Sequence, residues 1–299
     1  AIALAAKGLA LLPLLPASPH RTQSELTLLM VLGIALAATR GYAIPEVGQT
    51  CRRALELCRQ ADDDLQLFPV HSGLFGFSLV SAKFQTAREL GERLLRLAEQ
   101  QSESVLKLAA HLALGFVWWH MGELTSARRH FEQRHTLYSP QDHLKSLQFG
   151  HDPTVISLVS VAPVLWYLGY PERARRMAQD ALALAERLAH PHTHAVTLDY
   201  VSQVFRERRE VSTVQARMNS HLALCCEHDF REGIAQGAIT RGWVLARQGQ
   251  AEEAIRHIGE GIAACEARGT QMDRSHQLVV LAETYAFNGQ PDEGLALLG

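Results

Sequence analysis

The sequence predicts an all-α fold, a right-handed superhelical α-solenoid of antiparallel helix pairs repeating every ~40 residues. Three observations predict it. First, Gly169, Gly249 and Gly289 each stand five residues before a small residue, Ala174, Ala254 and Gly294. Second, the phase extends to Arg209/Val214, Gly122/Ala127, Ala82/Ala87 and Tyr42/Val47, in steps of 40 residues apart from one of 47 between Gly122 and Gly169. Third, 47% of the 299 residues are apolar, mostly Leu and Ala with few β-branched runs, which favours helix. A unit of this length cannot bury its apolar face alone, so it stacks on its neighbours.

Residues 1–22 open with AIALAAKGLALLPLLP. The apolar run after Lys7 is short, holds Pro13 and Pro16 and lacks a small-residue cleavage site, so it reads as a helical join to an upstream domain rather than a signal peptide. No window reaches the ~18 uncharged apolar residues of a membrane span. The chain begins without Met and stops inside a helical pattern at LALLG, as a segment of a longer polypeptide would. Residues 23–299 read as the array, with turns near 42, 82, 122, 169, 209, 249 and 289, making six units and a truncated seventh.

Each unit reads as helix A, a tight turn and helix B. In SVLKLAAHLALGFVWWHMG-ELTSARRHFEQRHTLY, small Gly115 lies seven residues before the turn glycine and Trp118 four before it. Ala35, Ala162, Ser202, Gly242 and Ala282 repeat the small position, and Phe205, Tyr285, Leu165 and Leu245 the large one. The small residue admits a close helix approach and the large one fills the space beside it. The turn glycine ends helix A at φ > 0, and Pro171 and Pro291 open helix B where a missing N–H costs nothing. The middle unit is the least regular: Asp152-Pro153 reads as a cap and a first-turn proline, and Pro163 falls inside helix A. His151, Asp152 and Pro163 are therefore candidate functional positions.

The spacing of small, aromatic, turn glycine and small residue is similar to the tetratricopeptide (TPR) pattern, with a period of 40 instead of about 34. Over residues 25–299 the chain also resembles the TPR region of large bacterial signalling ATPases, especially those with an N-terminal class III adenylate/guanylate cyclase domain. The stretches are GYAIPEVGQTCRRALELCRQ, QTARELGERLLRLAEQQ, FGHDPTVISLVSVAPVLWYLGYPERA, ITRGWVLARQGQAEEAIRHIGEGIAA and LAETYAFNGQPDEGLALL. The resemblance implies cyclase and nucleotide-binding domains upstream. It departs at Arg209, which replaces a turn glycine, and in the weak unit REVSTVQARMNSHLALCCEH.

Net charge is −2 with basic residues spread along the chain, so there is no footprint for nucleic acid. Five cysteines without framework spacing (Cys51, Cys58, Cys225, Cys226, Cys265) read as reduced thiols in a cytoplasmic protein. No phosphate loop or H-E-x-x-H occurs. His190, His192 and His194, and the set His221, Cys225 and His228, are weighed as metal ligands and read as structural, so no metal, cofactor or catalytic residue is assigned. An enzyme would need convergence of His120, His151, Asp152 and Asp199. The asparagine rows of cochaperone carboxylate clamps are absent.

The inner surface instead offers Leu79, Phe116, Trp119, Trp166, Tyr167, Tyr200 and Trp243, an aromatic groove suited to an amphipathic helix or an apolar small ligand; burial of the tryptophans as core would remove it. The expected function is a non-catalytic protein-interaction or sensor module that binds a partner protein or its own upstream domains and regulates an upstream signalling ATPase or nucleotide cyclase, without nucleic acid or membrane. The alternatives are a free-standing oligomerisation scaffold and a helical enzyme.

Overall fold

The computed structural model describes residues 1–61, 64–101, 103–133 and 152–299; His151 lies outside them. Among the described residues every regular element is helical. The helices are α1 (Ile2–Leu11), α2 (Pro19–Arg40), α3 (Pro45–Ala61), α4 (Asp64–Val80), α5 (Phe84–Gln101), α6 (Ser104–His120), α7 (Leu124–Phe131), α8 (Pro153–Tyr167), α9 (Pro171–Leu188), α10 (Pro191–Glu207), α11 (Val211–Glu227), α12 (Arg231–Arg247), α13 (Ala251–Glu266), α14 (Arg274–Phe287) and α15 (Pro291–Ala296). A short 3-10 turn, Leu12–Leu14, follows α1.

From α2 onward the even-numbered helices are helices A and the odd-numbered ones helices B. Each A helix packs on the B helix that follows it and on its neighbouring A helices, whereas no two successive B helices pack to a comparable extent among the described residues. Helices A therefore form the inner layer of an α-solenoid and helices B the outer one.

The A-to-B turns share one backbone solution. The N–H after the turn residue donates to the carbonyl four residues before it: Lys83 to Ser78 (2.8 Å), Glu123 to Trp118 (2.8 Å), Tyr170 to Leu165 (2.9 Å), Glu210 to Phe205 (3.0 Å), Gln250 to Leu245 (3.0 Å) and Gln290 to Tyr285 (3.0 Å). This six-to-one bond closes a Schellman cap and demands a left-handed residue at the turn. Gly122, Gly169, Gly249 and Gly289 supply it, and so do Ala82 (φ 55°) and Arg209 (φ 58°). In the first pair the left-handed residue is Gly41, one residue ahead of the phase position Tyr42.

The small positions work as close-approach points. A Cβ on Gly242 would lie 2.7 Å from the Ala254 carbonyl oxygen and 2.4 Å from Ile258 Cγ1, and one on Gly294 would lie 2.7 Å from the Ala282 carbonyl oxygen. The residue seven before one turn thus meets the residue five after it, across the A–B crossing. Asp152 caps α8: its Oδ1 accepts from Thr154 N at 2.8 Å and Val155 N at 3.1 Å, and its own N–H donates to Thr193 Oγ1 at 3.0 Å.

A further set of contacts ties distant parts of the coil. The segment 267–273 between α13 and α14 reaches the first repeats: Gln271 N and Met272 N donate to Val80 O at 2.8 and 3.2 Å. Gly269, at φ 76°, lies so close to Ala43 O that a Cβ would stand 3.1 Å from it. Met272 packs with the apolar cluster of Phe75, Leu79 and Leu106, and His120 Nε2 lies 3.3 Å from Asp273 Oδ1. The inner surface is thereby bridged by its own chain.

Candidate functional site

On each helix A, positions thirteen, ten, nine, six, three and two before the turn residue fall on one face, because they are spaced by three or four residues or their immediate neighbours. On α6 these include Phe116, Trp119 and His120; on α8, Trp166 and Tyr167; on α10, Asp199, Tyr200, Gln203, Arg206 and Glu207. On α12 they include Gln236, Trp243 and Arg247, and on α14 His276, Val280 and Glu283. Helices A are the inner layer, so this face is the inner wall.

The aromatic part of the wall is continuous. Phe116 stacks on Trp119 (centroids 6.3 Å apart), and Tyr200 lies 6.2 Å from Phe116 and 5.7 Å from Trp119. Trp119 also contacts the His120 ring at 5.4 Å. His120 is held between Phe84, stacked on it at 5.5 Å, and the Asp273 carboxylate. The Tyr200 hydroxyl is pushed well above the usual tyrosine range, by burial first and then by Asp273 and Asp199.

The polar part follows along α10, α12 and α14. Asp199 accepts from Gln203 Nε2 at 3.5 Å. Its carboxyl is raised above the ordinary range by burial, with His221 and Arg206 opposing and Asp273 adding to the effect. Arg206 donates to His276 Nε2. Burial and the neighbouring guanidinium push His276 down to about 3, so its imidazole is neutral and accepts. Tyr167 Oη donates to Glu207 at 3.2 Å, Gln277 Nε2 to Gln236 Oε1 at 3.4 Å, and Arg247 lies 3.6 Å from Glu283. Burying this many polar groups requires that they satisfy one another.

The structure divides the expected groove residues. Phe116 and Trp119 are half-buried and meet Tyr200, which at 8% exposure is itself core; Trp166 is half-buried against the same apolar cluster, and Tyr167 is exposed. Trp243 is a correction: at 2% exposure it belongs to the core with Ile239, Val244 and Ile258, and Arg247 covers its ring at 5.2 Å. Leu79 is likewise core, packed with Phe75 and Leu94. Pro163 is buried within α8, which runs through it.

Of the residues posited for an enzyme, His151 lies outside the described residues, Asp152 is engaged in its cap, and His120 pairs with Asp273. His190 accepts from Thr193 N as a cap at 3.2 Å, and His192 meets Phe230 edge-on. His221 is a structural tie, with Nδ1 2.9 Å from Ala195 O and Nε2 2.8 Å from Gly233 O. Arg206, Arg247, Asp273 and His276 were missed by sequence reasoning. The same turn phase, extended to the positions three, two and thirteen before the turn, would have found all but Asp273.

Comparison with known proteins agrees with this architecture. A family model described as tetratricopeptide repeat matches residues 108–133, 235–260 and 276–299. These three segments match the TPR model. An uncharacterised protein of Rhizobium meliloti (strain 1021) is 21% identical over 281 residues, 92% of this chain and 27% of its own length. The chain thus spans about a quarter of that relative.

Among solved structures, a Rap protein complexed with competence and sporulation factor matches with a TM-score of 0.69 at 12% identity, over 95% of this chain and 86% of that one. The apo form of RapI gives 0.62 at 12%, over 92% and 95%. Aspartyl phosphate phosphatase F from Bacillus subtilis gives 0.66 at 11%, over 92% and 69%. At these identities the likeness is one of fold.

Proposed function

We propose that this chain is a sensor module whose inner wall recognises a protein segment, and that it regulates an upstream signalling ATPase or nucleotide cyclase without catalysing a reaction itself. A TPR fold supports the general role of a protein-interaction module. The observation that carries the reading is the make-up of the inner wall. A solenoid needing only stability would seal that face with aliphatic side chains. Here it is furnished with Trp119, Tyr200, Asp199, Arg206 and His276, which give aromatic contact area and oriented hydrogen-bonding groups together. One solved neighbour of this fold is complexed with competence and sporulation factor, which supports a fold able to hold a bound factor.

The transmission step would use the bridge formed by residues 267–273. Each helix pair contacts mainly its neighbours, so small rotations add along the array. The bridge fixes their sum by holding the sixth repeat against Val80 and His120. A segment that binds the inner wall better when the bridge is open would shift the coil toward an open curvature.

Titration of the chain against the ATPase and cyclase domains, read by tryptophan fluorescence and by their turnover, tests this reading. The expected result is saturable quenching with a change in turnover, both weakened by Trp119→Ala. Absence of binding together with unchanged turnover would overturn it.

A further inference from the structure

A small cavity on the inner side of the last repeats gathers several basic side chains. Its volume is about 100 Å³, and Arg206, Arg209, Arg247 and His276 line it, with Trp243 as an apolar wall. That is room for several waters or one compact group. We propose that it is an oxyanion site, taking one carboxylate or phosphate group of a ligand.

The charges around the cavity are unequally matched. Arg206 is 7% exposed and, among the described residues, makes no ion pair; its partner is the His276 imidazole. Burial lowers the Arg206 pKa, and the nearby Glu207, Asp199 and Glu283 carboxylates oppose that effect without forming an ion pair with it. Arg209 sits at the turn with its backbone fixed at φ 58° and likewise makes no ion pair among the described residues. The third arginine is held ready: the Arg247 guanidinium lies 5.2 Å from the Trp243 centroid and 4.3 Å from that of Phe287. Its Nε is buried without a hydrogen-bond partner.

Two carboxylates share the lining, and both are engaged. Glu207 accepts from Tyr167 Oη. Glu283, half exposed at the rim, is paired with Arg247 at 3.6 Å. The guanidinium fork suits a planar or tetrahedral oxyanion, which it grips by two parallel N–H donors. Stacking on Trp243 holds the Arg247 guanidinium beside the cavity. An anion seated there would offer Arg206 and Arg209 a direct charged acceptor and give Arg247 Nε one as well.

The site shares Arg206 and His276 with the proposed recognition wall, but its test reads the chain alone. Thermal unfolding is followed while chloride is replaced, at constant ionic strength, by inorganic phosphate in one arm and succinate in the other. The expected result is a saturable rise in Tm with at least one anion, the two arms separating a phosphate from a carboxylate ligand. Arg247→Gln should weaken the apparent Kd by about tenfold, the loss of one charge-assisted contact. Arg209→Gln, on the surface, should do the same and serves if the first variant fails to fold. No saturable response to either anion, or responses in both variants equal to the wild type, would overturn the assignment. Binding of the ATPase or cyclase domains plays no part in the measurement, so each idea stands or falls separately.

Discussion

Asp273→Asn should loosen the bridge that closes the coil without touching any helix–helix contact. The carboxylate sits 3.3 Å from His120 Nε2, with side-chain exposures of 29% and 9% for Asp273 and His120. The His120 Nδ1 stands 2.8 Å from Phe116 O, and Phe84 covers the ring, so the imidazole is pre-oriented. An exposed ion pair contributes up to about 1 kcal/mol, and a hydrogen bond to a charged group about 1.5–3 kcal/mol. The partial exposure of Asp273 places this pair between them, at about 1.4 kcal/mol, a factor of about ten in an opening equilibrium. Asparagine keeps an acceptor and removes the charge, so most of that factor should be lost.

The pH dependence follows from both partners. Burial alone lowers His120, but the Asp273 hydrogen bond and charge, with the Phe116 carbonyl, outweigh it and its pKa is raised. Stability from a raised histidine is complete below its unfolded value of about 6.5 and disappears as pH climbs through the folded value. Asp273 is lowered, since His120 and the charges behind it outweigh burial. Its contribution is present above the unfolded value of about 3.9 and is lost as pH falls through the folded one. The bridge is therefore tightest between about pH 4 and 6.5 and slackens above. Amide hydrogen exchange of Gln271 and Met272, which donate to Val80 O, reads the opening directly. After correction for intrinsic exchange, wild-type protection should fall between pH 5.5 and 8, while Asp273→Asn should be about tenfold less protected at pH 5.5 and nearly flat. Equal protection of variant and wild type at both pH values would refute the reasoning.

Other consequences are local. Gly242→Ala puts a methyl 2.7 Å from the Ala254 carbonyl oxygen, which should cost about 1–3 kcal/mol by overpacking, measured as a lower urea midpoint with an unchanged m-value. Arg209→Gly relieves a left-handed non-glycine residue, worth about 1–2 kcal/mol, against about 0.5–1 kcal/mol of added chain entropy; thermal melting should show a small net gain. Among the cysteines only Cys226 is exposed, and burial pushes the Cys225 and Cys265 thiols up to about 12. Mass spectrometry after brief alkylation of the native chain at neutral pH should find one modified thiol, at Cys226, and five after denaturation.

What was legible in the sequence is whatever the repeat enforces within one unit. The Schellman turn needs a left-handed residue, so glycine recurs, and the phase holds even where Ala82 and Arg209 accept the strain. The crossing of helices A and B needs small residues, so Gly242 and Gly294 were readable from spacing alone. The same phase placed Phe116, Trp119 and Tyr200 on the inner wall. It also placed Trp243 on that face, but position on a face does not say what lies over it; Arg247, one helical turn on, covers the indole, which is 2% exposed.

Asp273 shows a deeper limit. It precedes α14 rather than lying on it, and its partner is 153 residues away. Whether segment 267–273 meets Val80 and His120 depends on the small rotation between units, summed over the intervening repeats. No residue spacing encodes that sum locally. A tighter or looser crossing at one pair, such as Gly242 on Ala254, would carry Asp273 past His120. Coupling between the two is therefore expected: Gly242→Ala should lower the protection of Gln271 and Met272 as well as global stability, although the substitution touches neither. If the bridge amides in Gly242→Ala keep their wild-type protection, the crossing angles and the closure are independent. The coil would then be held shut by the bridge contacts alone.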